Sequence, residues 1–572
     1  MKMRARSEYE INIFSCDNHV RNSISECQPF EYNVILYHDT VIVECTDFNN
    51  ELIYENVHTV FSISEDIQKK MDNIANTTKQ ISVLFVGIDS VSRLNFIRSL
   101  PSTYRYVEDN HWIPLKGYNK IDDNTFPNLM AILTGFNDTY ACDICDPTDI
   151  GKLDECPMLW YDYRKLGYIT SYAEDECWMN TFNYKKKGFT SPPTDYYFRP
   201  YILATEKLNK VMRNGMTYCT GPESAGERIM NLAKEFGDTF KHYPTFGFYW
   251  MNSFSHNDLS SASVMDNKTK EFLEDLANRN VLENSVVIFF SDHGVRFGDI
   301  RLTKSGWLEE RLPFIYFSLP KWFKKKFTRE FNNFKNNSYK LTSPYDIYMT
   351  LKHILVLSGH NYTITPSDAC PTCMSLFEEI DPERSCEDAG IEQHWCTCAA
   401  YTSVKLNKRL EFKLTDYVLN EIHNIILSEN GSELCAKYAV NNIINASLSQ
   451  KFSYKNNTYL LLSFETTPKA IFESTVGFYG EISALNFSIS GSISRLDRYS
   501  VSSNCVKKYK FKKILLLCSL VNISIKRIML RCCFSKEQEN NNLFLLVILT
   551  RNNTPIYFLS ILSKYSLKWK KR

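Results

Sequence analysis

Four short stretches carry side chains able to bind a divalent cation and to attack an electrophile. GIDSVSR places Asp89 just after the apolar run 81–88, and SDHG places Asp292 and His293 just after the run 286–290. The run 243–250 leads to Asn252 and to Ser255-His256-Asn257-Asp258, and DNTFPN sets Thr125 ahead of the apolar stretch 129–133. Carboxylates with imidazole suit zinc or manganese, whereas the same acids buried together without a cation would be costly. A hydroxyl at a loop-to-helix junction meets free N–H groups and the positive end of the helix, which favour an anion. A nearby cation then makes such a hydroxyl a nucleophile. Taken singly, Asp89 reads equally well as a helix cap and Thr125 reads better as one; the set of four is harder to explain that way.

The elements that must position these residues alternate between strand-length apolar runs and helical patterns. Residues 81–88, 169–173, 243–250, 286–290 and 314–317 read as buried parallel strands. Between them, residues 225–240 repeat apolar side chains at Ile229, Leu232, Ala233 and Phe236, and residues 266–282 do so at Phe272, Leu273 and Leu276. The expected fold is α/β, a mostly parallel sheet with helices on both faces. In such a sheet reactive groups gather at the carboxyl ends of strands, where Asp89, Asn252 and Asp292 fall.

Residues 79–365 are expected to form the core that carries the site. Residues 1–78 are read as an irregular N-terminal region with short strands at 33–37 and 40–45, and 366–504 as a smaller, cysteine-rich α+β part. Residues 505–572 carry 15 Lys/Arg against two acids, whereas residues 1–504 carry 51 bases against 63 acids. This basic tail is expected to be poorly ordered, with peripheral membrane contact as its first suggested role and nucleic-acid binding as a weaker one. Its apolar runs are too short for the ~20 residues of a spanning helix. The whole chain, at 572 residues and a formal charge of +1, does not point to nucleic acid.

No secretory signal is evident at the start of the chain. The cysteines argue for an oxidising compartment all the same: there are 18, several in close pairs, and Asn-x-Ser/Thr acceptors include Asn137, Asn267, Asn336 and Asn361. Disulfides are expected to involve Cys142-x-x-Cys145 and Cys370-x-x-Cys373, with local bridging among Cys386, Cys396 and Cys398. The chain is therefore placed outside the cell or in the secretory lumen, as a disulfide-bearing glycoprotein.

NTFPNLMAILTG and SDHG resemble the nucleophile and metal motifs of the alkaline phosphatase and sulfatase superfamily. More closely, GIDSVSR, TFPN, WMNSFSH, SDHGVRFGDIR, GWLEERLPF and CEDAGIEQHWCTC, in that order, are similar to the animal family DUF229 over roughly residues 79–505. The resemblance implies a metal held by Asp89, Asp292 and His293, with Thr125 as its nucleophilic ligand and His256 facing a second metal or the substrate anion. The phosphodiesterase branch has Asp where this chain has Asn252, so one ion is as acceptable as two, and His353, His360 and His394 are candidates for a distal ligand. Zinc is the first choice, with manganese or calcium as alternatives. Arg93, Arg296 and Arg301, with Asn128 and Asn252, are candidates to bind phosphoryl or sulfuryl oxygens.

Formylglycine sulfatases need Cys-x-Pro-x-Arg, which does not occur. The implied activity is therefore hydrolysis or transfer of a phosphate ester or diester, with sulfate esters second, on a small molecule, lipid or glycan. The rival reading is a secreted glycoprotein of the same fold that binds partners without turnover.

Overall fold

The computed structural model describes residues 39–47, 49–73, 79–428, 437–449, 457–479 and 487–498, with the short strand segments 2–5, 12–14, 19–21, 27–30, 33–35, 546–549 and 555–558. The rest of the basic tail lies outside the described residues.

A seven-stranded sheet forms the core, in the order Tyr196–Tyr197, Ile169–Glu174, Thr245–Met251, Ser82–Ile88, Ser285–Phe290, Ile315–Ser318, Ile113–Pro114. Side chains alternate across it. Leu84, Val86, Val287 and Phe289 enter one buried cluster, while Val83, Phe85, Val286 and Ile288 enter another on the opposite face. A strand buried on both sides needs apolar residues at every position, which is why these runs lack polar alternation.

Helices cover both faces. Ala225–Thr239 starts at a capping box between Ser224 and Glu227 and buries Ile229, Leu232, Ala233 and Phe236. Asp266–Asn278 packs beside it, burying Phe272, Leu273 and Leu276. Thr125–Thr134 and Pro344–Leu357 pack against each other in the opposite layer.

One expectation fails. Ile315–Ser318 runs antiparallel to Ser285–Phe290, not parallel. The intervening chain does not cross the sheet: Lys304–Arg311 ends on the carboxyl side, where Ser291 N donates to Phe314 O at 2.8 Å, so the strand can only run back. The five strands from Tyr196–Tyr197 to Ser285–Phe290 are mutually parallel and keep the sheet mostly parallel.

Beyond residue 366 a cysteine-rich strap leads to the helix Lys408–Ser428 and a five-stranded antiparallel sheet, from Tyr401–Ser403 to Phe487–Arg495. Among the described residues three disulfides form: Cys145–Cys156, Cys370–Cys373 and Cys386–Cys396. Cys145 thus reaches forward to Cys156, not back to Cys142, and Cys398 is left as an exposed thiol. At the N-terminus, Thr40–Thr46 pairs with Leu52–Thr59. Among the described residues no helix is long and apolar enough to cross a membrane.

Candidate active site

Adjacent parallel strands bring the two aspartates together. Phe290 is paired with Gly87, so Asp89 and Asp292 leave neighbouring strands at the same edge. A Cβ on Gly87 would lie 2.0 Å from the Trp250 ring, so only glycine lets these strands close up here. Ser90 takes a left-handed φ of 62°, which turns its amide onto Asp292 Oδ1 (3.1 Å) and its hydroxyl onto Asp89 Oδ1 (2.8 Å). His293 N also donates to Asp292 Oδ1, at 2.8 Å.

One oxygen of each carboxylate is therefore satisfied by the protein and the other is not. Asp89 Oδ2, Asp292 Oδ2 and His293 Nε2 are buried without a hydrogen-bond partner, in a group whose ligand atoms lie within 4.8 Å of one another. His293 Nδ1 lies 2.9 Å from Gly294 O; a carbonyl only accepts, so Nδ1 carries the proton and Nε2 presents a lone pair. That lone pair stands 3.1 Å from Asp292 Oδ2 and 3.8 Å from Asp89 Oδ1. Two carboxylate oxygens and an imidazole nitrogen converge without hydrogen-bond partners and would repel one another once the acids ionise, and a divalent cation is the group they fit.

The electrostatics agree. Burial pushes the Asp89 carboxyl up to about 7, and burial together with the Asp89 charge pushes Asp292 up to about 8. Burial, reinforced by the Arg296 charge, holds His256 down to about 4 and His293 well below the usual range. Without a cation the site retains protons on its acids and none on its imidazoles.

Thr125 stands at the first position of Thr125–Thr134, half-buried, with its hydroxyl 3.5 Å from Asp89 Oδ1. The preceding Asn124 holds φ 70°, ψ 164°, a region that side chains other than glycine's seldom enter, at a cost of about 1–3 kcal/mol. Asn128 maintains that bend. It is fully buried, its Nδ2 donates to Asp122 O and Asn124 O (both 2.8 Å), and its Oδ1 accepts from Ile121 N (2.9 Å). Its amide is spent on the loop that delivers Thr125.

Of the other sequence candidates, His256 stands beside the group, with Nε2 3.9 Å from Asp89 Oδ2 and Nδ1 2.6 Å from Asn257 Oδ1. Arg296 acts on the same point through its charge. Asn252 is turned aside: its Oδ1 accepts from the Trp250 indole and its Nδ2 reaches Glu174 and Asp175. Arg93 donates to Lys116 O, and Arg301 lies between Glu310 and Glu473.

None of the distal histidines meets the aspartates. His353 bonds Ser375, His360 packs on Tyr168, and His394 bonds Thr475 and Ser494. Among the described residues only one group of acids and histidine has metal-ligand spacing.

Sequence reasoning missed Ser90, which steers both carboxylates, and the fully buried Lys120, paired with Asp123 and Glu310. A lysine two residues before an Asp-Asp pair was the available signal.

The chain belongs to the DUF229 family, described as "Protein of unknown function (DUF229)", whose profile matches residues 6–444. Among solved structures it is similar to an alkaline phosphatase superfamily protein from Vibrio parahaemolyticus, with 13% identity and a TM-score of 0.37 over 72% of this chain and 82% of that one. It is also similar to the phosphonate monoester hydrolase SpPMH from Silicibacter pomeroyi, with 11% identity and a TM-score of 0.37 over 70% and 90% of the two chains. A third is the lipoteichoic acid synthase LtaP from Listeria monocytogenes, with 12% identity and a TM-score of 0.33 over 50% and 77%. No curated protein matches.

Proposed function

We propose that the protein is a metal-dependent hydrolase or transferase of phosphate esters or diesters, with Thr125 as nucleophile. The observation that carries this reading is the convergence of three orphaned lone pairs, on Asp89, Asp292 and His293, beside a hydroxyl at a helix N-terminus. A divalent cation held by those three residues would supply Lewis acidity to the phosphoryl oxygens and to the attacking hydroxyl. Zinc fits a set of two carboxylates and one imidazole, and manganese is the nearest alternative.

The chain's own groups do the rest. Asp89 Oδ1 accepts the hydrogen bond of the Thr125 hydroxyl, aiming the lone pairs of Thr125 Oγ1 away from the sheet. As Oγ1 gives its proton to Asp89 Oδ1 and bonds to phosphorus, the bond from phosphorus to the leaving oxygen breaks, and that oxygen takes a proton from water and departs as an alcohol. The resulting phosphothreonine passes its phosphoryl group to water or to an acceptor alcohol. Arg296 and the N-terminal N–H groups of Thr125–Thr134 bear on the charge that develops on the phosphoryl oxygens. His256 keeps an unprotonated Nε2 toward the same point, available to take the proton of the incoming water or alcohol.

The substrate is a phosphate-bearing small molecule, lipid or glycan, with sulfate esters as the second class. Three disulfides and exposed glycosylation acceptors at Asn267, Asn336 and Asn361 support a location outside the cell or in the secretory lumen. The test is turnover of chromogenic phosphate diester, monoester and sulfate ester by the full chain, with and without zinc or manganese, beside Thr125→Ala. Metal-dependent diester turnover lost in Thr125→Ala is expected; equal rates in the two proteins would refute the mechanism.

A further inference from the structure

The loop that delivers Thr125 is bonded to a part of the molecule remote from it in sequence. Ser492 and Ser494, on the strand Phe487–Arg495, direct their hydroxyls at Asp122 (3.5 Å) and Asp123 (3.4 Å), the two residues ahead of the strained Asn124. Behind Ser494 stands His394, with Nε2 3.1 Å from Ser494 Oγ and Nδ1 2.9 Å from Thr475 Oγ1. A hydroxyl has one proton, and toward a carboxylate Ser494 can only donate. It must then accept from His394 Nε2–H, and His394 Nδ1 must accept from Thr475. The chain runs one way: Thr475 to His394 to Ser494 to Asp123, where Lys120 meets the other carboxylate oxygen at 3.4 Å.

Around this relay lies a buried charge cluster that balances. Lys120, Arg301 and Arg311 face Asp123, Glu310 and Glu473, and all six are buried. Arg311 spans Glu310 (3.0 Å) and Glu473 (2.9 Å), stacks on Trp307 (4.3 Å), and donates twice to His394 O (3.1 and 2.9 Å). Lys120 sits 3.9 Å above the Trp395 ring. A buried set of this kind is weak evidence of stability, because desolvation offsets most of the attraction; what it does impose is geometry. A peptide in a glycine-like conformation persists only where its surroundings over-determine it. Asn128 supplies that restraint from within the helix, and the relay supplies it from the C-terminal sheet.

We infer that Ser494, with His394 and Thr475 behind it, is a positioning residue: the antiparallel C-terminal sheet anchors the Asp122–Asp123 loop and so sets where the Thr125 hydroxyl stands. This rests on the reading of Thr125 as nucleophile for its kinetic consequence, but not for the anchoring itself.

The sheet contains its own control. Ser474 lies on the neighbouring strand Ala470–Tyr479, fully buried, and its hydroxyl has no hydrogen-bond partner. Ser494→Ala and Ser474→Ala in the full chain therefore delete the same atom from the same sheet, only one of them in the relay. Thr475→Val, nearly isosteric, is a second relay variant should Ser494→Ala fail to fold. Two readouts are taken at matched metal content: hydrogen exchange of the amides of 120–126, and kcat and KM on the chromogenic diester.

The relay variants are expected to speed exchange in 120–126 and to lower kcat roughly tenfold, as displacement of a reacting group does. KM and metal stoichiometry should hold, and Ser474→Ala should match wild type. Exchange unchanged in the relay variants, or changed equally in Ser474→Ala, overturns the inference. A wild-type chain that turns over none of the substrates refutes the proposed function instead, and the exchange comparison still decides the anchoring.

Discussion

Removing the metal should make the protein's stability fall with pH over a window set by the two aspartates. Free carboxyls on an unfolded chain titrate near 4, whereas in the folded protein Asp89 is pushed up to about 7 and Asp292 to about 8. Between pH 6.5 and 8.5 the folded state holds protons that the unfolded state has already released. Stability contributed by those protons is complete at acid pH and lost as pH rises through the folded values. Integrating two sites at about 7 and 8 over that window gives a loss of about 3 kcal/mol, a large share of a typical 5–15 kcal/mol.

His256, held down to about 4, has the opposite sign, since its unfolded form takes a proton first; its contribution rises with pH and is complete near its ordinary 6.5. The diagnostic window therefore opens above 6.5. Glu235 and Glu176, raised by burial to about 7 and 8, add a similar fall that does not depend on metal. The informative quantity is thus the difference between chelated and zinc-loaded protein. Urea denaturation across pH 6.5–8.5 should show this difference widening by about 3 kcal/mol, because a bound cation replaces both protons. Asp292→Asn should abolish most of the widening. Parallel pH curves for chelated and loaded protein would refute the assignment of these carboxylates as ligands.

Three further outcomes follow from the same contacts. Asp292→Asn and His293→Ala should each lower zinc affinity at least 10-fold by competition with a chromophoric chelator, since the first removes a ligand's negative charge and the second deletes a ligand atom. Thr125→Ser should retain turnover within about 10-fold, whereas Thr125→Ala should lose about 10³-fold or more in kcat while still binding zinc at wild-type stoichiometry. Asn128→Ala strands Ile121 N and two carbonyls and should cost about 2–4 kcal/mol by chemical denaturation. Asn128→Asp, which sets an oxygen against both carbonyls, should cost at least as much; a milder effect would show that those two hydrogen bonds do not hold the loop.

How much of this was legible before the coordinates depended on the range of the interaction. The central strands were readable because burial on both faces forces long apolar runs, and Asp89, Asp292 and His293 were readable because they follow those runs directly. The reversal of Ile315–Ser318 was not, since its apolar pattern is the same for either direction and only the path of the preceding helix decides it. The role of Asn128 was misread for a related reason: a buried amide and a substrate-facing amide look identical in a TFPN string, and its hydrogen bonds to Ile121, Asp122 and Asn124 appear only once the loop is folded. His394 shows the limit most clearly. Its partners lie 81 and 100 residues away on two strands, with nothing periodic to announce them. The candidate ligands are thus grouped locally, at the ends of strands, whereas the proposed restraint on Thr125 comes in part from His394 and Ser494, hundreds of positions downstream.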